Sequence, residues 1–214
     1  MSAREAPLEV QELSVKLGGV PIIAHADFRL QAGELALLTG PNGAGKSTLL
    51  RALVNLLPSS SGDVFVSGLR PGVPAARARF VYVPDEAALY EDLTLAEHMT
   101  FTALIYQQPE AAPRMREFLD LFGLLDREDE YPSTHSRGMR QKLALALALG
   151  LDTPLLILDE PYNGLDLASQ QLLNDSLKQR CSAGGAVLLT GHQSELLDNL
   201  GARQLSLQDG RLSA

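Results

Sequence analysis

The nine residues Gly40-Pro41-Asn42-Gly43-Ala44-Gly45-Lys46-Ser47-Thr48 combine the groups needed to hold a polyphosphate. Glycines let successive backbone N–H groups turn inward around an anion, and a helix that follows points its positive N-terminal end at the same place. Lys46 adds a flexible point charge for the β- and γ-phosphates, and the Ser47 hydroxyl can ligate magnesium. The pattern G-x-x-x-x-G-K-[ST] acts this way when a strand precedes it and a helix follows. Both are expected here: Leu35 to Thr39 is an apolar run, and Leu49 to Leu57 carries a leucine-rich helical pattern. The implied ligand is a nucleoside triphosphate with magnesium.

Hydrolysis of such a ligand needs acidic groups at the C-terminal end of a neighbouring buried strand, where magnesium bridges the β- and γ-oxygens. Leu155-Leu156-Ile157-Leu158 is an unbroken apolar run of the kind buried in a parallel sheet, and Asp159 and Glu160 follow it. This order assigns Asp159 to the magnesium shell. Glu160 is then placed to orient and deprotonate an attacking water as a general base.

The elements that must position these groups alternate in type along the chain. Strands are expected at residues 8 to 17, near Ala26 to Leu30, and at Asp63 to Val66, suggesting antiparallel strands beside a nucleotide-binding core. Residues 69 to 79 read as a proline-bearing connector leading to a strand at Phe80 to Val83. Helical patterns occupy Thr94 to Gln108 and Pro113 to Leu125, with an acidic link from Asp126 to Glu130. Ser136 to Gly150 alternates leucine and alanine, but its length and its strong helix formers favour a helix over a strand. A helix (Ala168 to Arg180), a strand (Ala186 to Thr190), a short helix from Ser194 to Leu200 and a hairpin turning at Asp209-Gly210 complete the chain.

Composition bounds the remaining choices. The 214 residues, 45% hydrophobic and 21% charged, suit one soluble domain with a substantial core. A net charge of −8 and a pI near 5.0 argue against a nucleic-acid partner, although Arg77, Arg79, Arg137 and Arg140 could form a local basic patch. A single cysteine, Cys181, can form neither an internal disulfide nor a zinc site. The first ten residues lack the apolar core of a signal peptide. The greasiest stretch, Leu143 to Leu158, is broken by Gly150, Asp152 and Pro154, short of the ~18 apolar residues expected of a spanning helix. A cytosolic protein able to dock on a membrane partner is expected.

Together with Gly164-Leu165-Asp166 and Gly191-His192, these motifs resemble, in order and spacing, the ATP-binding subunit of an ATP-binding cassette (ABC) transporter. The resemblance spans nearly the whole chain. It implies an α/β fold: a P-loop NTPase (RecA-like) core with a mainly parallel sheet, an antiparallel β-subdomain and an α-helical insertion. The core and β-subdomain would occupy about 1–85 and 151–214, and the helical subdomain about 86–150. ATP and magnesium are the implied cofactors, and the implied reaction is hydrolysis of ATP to ADP and phosphate.

In that family two subunits face head to tail, each ATP lying between the Walker A loop of one and the signature motif of the other. The partners implied are a second ATP-binding subunit, identical or different, and a separate transmembrane permease that holds the protein at the inner face of the membrane. The signature would be His135-Ser136-Arg137-Gly138-Met139, in which Ser136 and Gly138 match the usual LSGGQ and Arg137 replaces its first glycine. Ser136 taken alone also fits a helix N-cap. The form S-[basic]-G-M-[basic]-Q resembles exporters whose permease is a separate subunit. His192 matches the switch histidine that contacts the γ-phosphate, whereas His25 and His98 read as structural or exposed. Asp166 resembles the residue of the loop that crosses to the other subunit. Asp85 stands at the Q-loop position, where a carboxylate cannot donate a hydrogen bond. Leu17 stands where an aromatic would stack on adenine. The alternative is a soluble, non-transport ABC ATPase acting as a mechanical or assembly factor.

Overall fold

The computed structural model describes residues 5–191 and 199–213. Two sheets organise them. The first is antiparallel, with β1 (Leu8–Leu17) between β2 (Val20–Leu30) and β4 (Ser61–Phe65). The second has the order β5-β6-β7-β3-β8-β9, formed by β5 (Phe80–Val83), β6 (Leu155–Leu158), β7 (Ala186–Thr190), β3 (Leu35–Thr39), β8 (Arg203–Gln208) and β9 (Arg211–Ser213). All its neighbours run parallel except the closing β8–β9 hairpin.

Side-chain alternation along the parallel strands divides the core in two. Ala36, Leu38, Leu155, Ile157 and Leu188 face α1 (Lys46–Leu53) and the antiparallel sheet. Leu35, Leu37, Leu156, Leu158 and Leu189 face the other way. Against them pack α3 (Leu95–Ile105), α4 (Ala111–Leu121), α5 (Arg137–Gly150) and α6 (Leu167–Ser182). Leucine on both sides of one strand is therefore required, which explains the unbroken apolar run before Asp159.

Several boundaries differ from the sequence expectation. The second strand starts at Val20, well before Ala26, because it pairs with β1 through Leu17↔Val20 and Lys16↔Pro21. Register shifts, with positive φ at Glu12 (46°) and His25 (51°), hide its alternation. The helix after the glycine loop stops at Leu53 rather than Leu57, where Asn55 takes φ 58° and leaves Leu56 exposed. The 69–79 connector contains one helical turn, α2 (Pro74–Arg77), started by a proline at its first position. Most of the expected 194–200 helix lies outside the described residues.

α5 is a helix, and its burial explains the ambiguous pattern. Leu143 and every residue from Leu145 to Gly150 are buried, so it has no polar stripe over its last two turns. Arg114 donates to the Gly150 carbonyl, and Arg180 donates to those of Leu151 and Thr153. These arginines hold the turn that delivers β6 to the site.

Candidate active site

Gly45 begins the site. It takes φ 100° immediately before α1, a left-handed conformation that glycine adopts without steric penalty. The turn aims the free N–H groups of α1 back into the loop. Residues Pro41 to Thr48 line one pocket together with Leu17, Ile22, Asp85, Glu160 and Asn163. Its volume is about 490 Å³. Gly40 lies just behind, where its carbonyl accepts a hydrogen bond from Lys46 Nζ at 2.9 Å. The same ammonium is 3.8 Å from Glu160 Oε1, and both side chains are largely buried (8% and 15% exposed). A cation and a carboxylate are thus already poised around the pocket.

Asp159 is 1% exposed and sits one residue behind that lining. Its Oδ1 accepts a hydrogen bond from Thr190 Oγ1 at 2.8 Å, and its backbone N–H continues the parallel ladder to Val83 O. Glu160 has φ 48°, rare for a residue with a side chain, and this turn directs it to the loop. On β5, burial and then the nearby Asp159 charge push the Tyr82 phenol up to about 12. The Ser47 hydroxyl and the Asp159 carboxylate are hard oxygen donors, which suit magnesium. Such a small protein set is characteristically completed by phosphate oxygens and water.

Two departures from the motif pattern meet in space. Asp85 Oδ1 accepts from Arg137 Nη2 at 3.0 Å and from Asn163 Nδ2 at 2.9 Å. The segment after β5, the start of α5 and the turn after Glu160 are thereby tied together within one chain.

Ser136 caps α5, accepting from the Met139 N–H at 3.3 Å, and neither Ser136 nor Gly138 lines the glycine-loop pocket. Asp166 caps α6 through the Ser169 N–H at 2.8 Å and pairs with Lys142 at 2.6 Å. The lysine first, then the Ser169 N–H, holds its carboxyl far below the usual range.

Of the arginines that could form a local basic patch, Arg137 and Arg140 line one pocket. Arg137 pairs with Asp85 and Arg140 with Glu91, while Arg77 lines a different pocket. His98 is buried, its Nε2 accepting from the Tyr90 N–H and its Nδ1 bonded to the Thr94 carbonyl. His25 is exposed. His192 lies outside the described residues. Nothing in the sequence pattern singles out Thr190, Asn163 or Ile22; the one signal is a polar threonine closing the apolar strand β7.

Comparison with known proteins decides the family. Residues 23–163 match the ABC transporter family. This chain is a member of it. It is 34% identical to the SkfA peptide export ATP-binding protein SkfE of Bacillus subtilis over 207 residues, covering 96% of this chain and 87% of that protein. It is 36% identical to the cytochrome c biogenesis ATP-binding export protein CcmA of Cereibacter sphaeroides, over 89% of this chain and 88% of the relative. A solved structure titled as the ATP binding subunit of an ABC transporter superposes with a TM-score of 0.91 at 32% identity, covering 97% and 88% of the two chains. This ABC subunit binds ATP and is an ATPase coupled to transport. Transport coupling displaces the alternative of a soluble assembly factor.

Proposed function

We propose that this ATPase closes with a second ATP-binding subunit around two ATP molecules and drives a separate membrane permease that exports its cargo. The carrying observation is that one pocket gathers residues 41–48, Asp85 and Glu160, while Ser136 and Gly138 stand outside it. A signature motif from another chain would supply the second half of the site. The export direction draws on the Bacillus and Cereibacter relatives, both described as export ATP-binding proteins.

Within one half-site, the loop amides and the α1 N-terminus bind the phosphates and Lys46 neutralises the β- and γ-oxygens. Ser47 and Asp159 would hold magnesium, which when bound supplies charge for the bridging phosphate oxygens. Glu160 takes the proton of the attacking water, and its place beside Lys46 sets that water against the γ-phosphate. His192, outside the described residues, is assigned the γ-phosphate by its match to the family's switch histidine alone, and the partner's signature N–H groups and hydroxyl would close over the nucleotide. Asp85 would couple nucleotide state to the permease.

An apolar groove of about 340 Å³ next to Asp85, lined by Pro84, Tyr90, Phe101 and Ile105 among others, offers the permease a surface. Among the described residues no helix is long and apolar enough to cross a membrane. Attachment at the inner face of the membrane would therefore run through the permease.

Glu160→Gln tests this reading. With saturating ATP and magnesium the variant should elute from size exclusion as a dimer and release no phosphate. A monomer under those conditions would sink the closing mechanism, and wild-type turnover would remove Glu160 as the base.

A further inference from the structure

We infer that Thr190 is a positioning residue that sets both acidic side chains of the hydrolytic site through a single hydroxyl. The inference rests on the roles proposed above for Asp159 and Glu160. Thr190 ends β7 and is fully buried, with 0% exposure. A hydroxyl has one proton to give and lone pairs to accept with. Here Oγ1 gives its proton to Asp159 Oδ1 at 2.8 Å and accepts the Glu160 N–H at 2.7 Å. The result is a short chain, N–H to O–H to carboxylate, in which each bond polarises the next.

The backbone explains why this is more than filling. β6 pairs with β5 on one side and β7 on the other. The Asp159 N–H continues the ladder toward β5, donating to Val83 O, and the Glu160 N–H, facing β7 as alternation along a strand requires, meets the Thr190 hydroxyl instead of a backbone carbonyl. The strand ends there, and Glu160 takes a left-handed φ of 48°. Such a conformation persists at a residue with a side chain only where surrounding contacts over-determine it. Thr190 supplies that contact on one side, and the Asn163 N–H bonded to the Glu160 carbonyl at 3.1 Å supplies it on the other. The turn is what carries the Glu160 carboxylate to 3.8 Å from Lys46 Nζ. The same hydroxyl anchors Oδ1 of Asp159 and so orients that carboxylate.

Removing the hydroxyl should damage turnover and metal dependence while leaving the phosphate loop, and so ATP binding, intact. The test compares Thr190→Val, which keeps the β-branched shape, with Thr190→Ser, which keeps the hydroxyl. ATPase rates are measured against ATP and against magnesium, with nucleotide binding by a fluorescent ATP analogue used to normalise to folded protein. Loss of outer-sphere hydrogen bonds to metal ligands costs on the order of 10–100-fold in metal affinity or activity. The valine variant should therefore lose roughly 10–100-fold in kcat, need more magnesium for half-saturation, and keep the KM for ATP within about twofold. The serine variant should recover most of the rate and the wild-type magnesium requirement.

A merely structural threonine would lower the folded fraction and leave kcat per folded molecule and the magnesium curve unchanged. A kcat within about twofold of wild type in Thr190→Val, or equal loss in valine and serine variants, overturns the inference. If the valine variant does not fold, Thr190→Ala is read by the same criteria. Glu160→Gln run in parallel separates the two claims. An active Glu160→Gln brings down the base assignment, whereas an inactive Glu160→Gln with an unimpaired Thr190→Val brings down Thr190 alone.

Discussion

Gly138→Ala sets helix propensity against geometry, and the structure says which wins. Gly138 lies in the first turn of α5, where alanine is favoured over glycine by up to ~1 kcal/mol. Opposing this, a Cβ built on Gly138 overlaps the carbonyl oxygen of Gly164. That oxygen is backbone and has no rotamer to change. Its loop is pinned on both sides, by the Asn163 amide on Asp85 and by Asp166, which caps α6 and holds Lys142. Inserting a methyl group against a fixed neighbour costs about 1–3 kcal/mol. Taking the full helix gain, the balance is a net loss of about 0–2 kcal/mol, or up to about 8 °C in Tm for a chain of this size. Thermal and urea unfolding followed by circular dichroism would read it. A variant clearly more stable than wild type, with the helix gain unopposed, would mean that α5 and the 160–166 loop do not touch in solution. The close approach of Gly138 to Gly164 would then be wrong.

Two further outcomes follow from the same site and from the back of the molecule. Leu17 and Ile22 line the pocket with aliphatic side chains, and Leu17 at the position proposed to meet the base lacks the ~0.5–1.5 kcal/mol of aromatic stacking. KM values for ATP and GTP should therefore be comparable, and a tenfold preference for ATP in steady-state assays would count against this base site. Burial pushes the Cys181 thiol up to about 11, so its contribution to stability is complete below about 9 and is lost as pH rises toward 11. Iodoacetamide labelling at pH 8 should be slower in the native protein than in urea by roughly a hundredfold; equal rates by mass spectrometry would show that the thiol is open to solvent.

What the sequence discloses depends on whether a feature is local. The glycine loop, the helix after it and the apolar strand before Asp159 each carry their signal within about ten residues, because turn geometry and burial act at that range. The extent of β2 was hidden because its bulged register breaks alternation, even though Leu17 and Val20 flank a plain Gly18-Gly19 turn. Asp85 and Arg137 are separately legible as departures from the ABC pattern. That one answers the other, across 52 positions of chain, depends on how α5 docks beside β5. The pair is exposed at 43% and 66%, so it contributes at most about 1 kcal/mol and acts on register more than on stability. An acid at position 85 gives up the amide donor of the usual residue, and a base at position 137 gains the partner that the acid requires.

Strand order turns these separate segments into one site. The loop that follows β3 and the carboxylates that follow β6 would not be neighbours in a sheet built in sequence order. They come together because β7 lies between β3 and β6, with every strand of this group parallel, so that all three C-terminal ends open on one edge. A strand in that middle position has to satisfy polar groups from both sides. β7 is apolar from Ala186 to Leu189 and changes character only at its last residue, Thr190, level with Leu38 of β3 and next to the turn at Asp159 and Glu160. A fifth apolar residue there would complete the strand equally well but remove the hydroxyl that the part-buried Glu160 N–H donates to, at a cost of about 1 kcal/mol. The hydroxyl removes that cost and also aims the turn, which is why a single polar residue at the end of an apolar strand belongs to the chemistry of this site rather than to its packing.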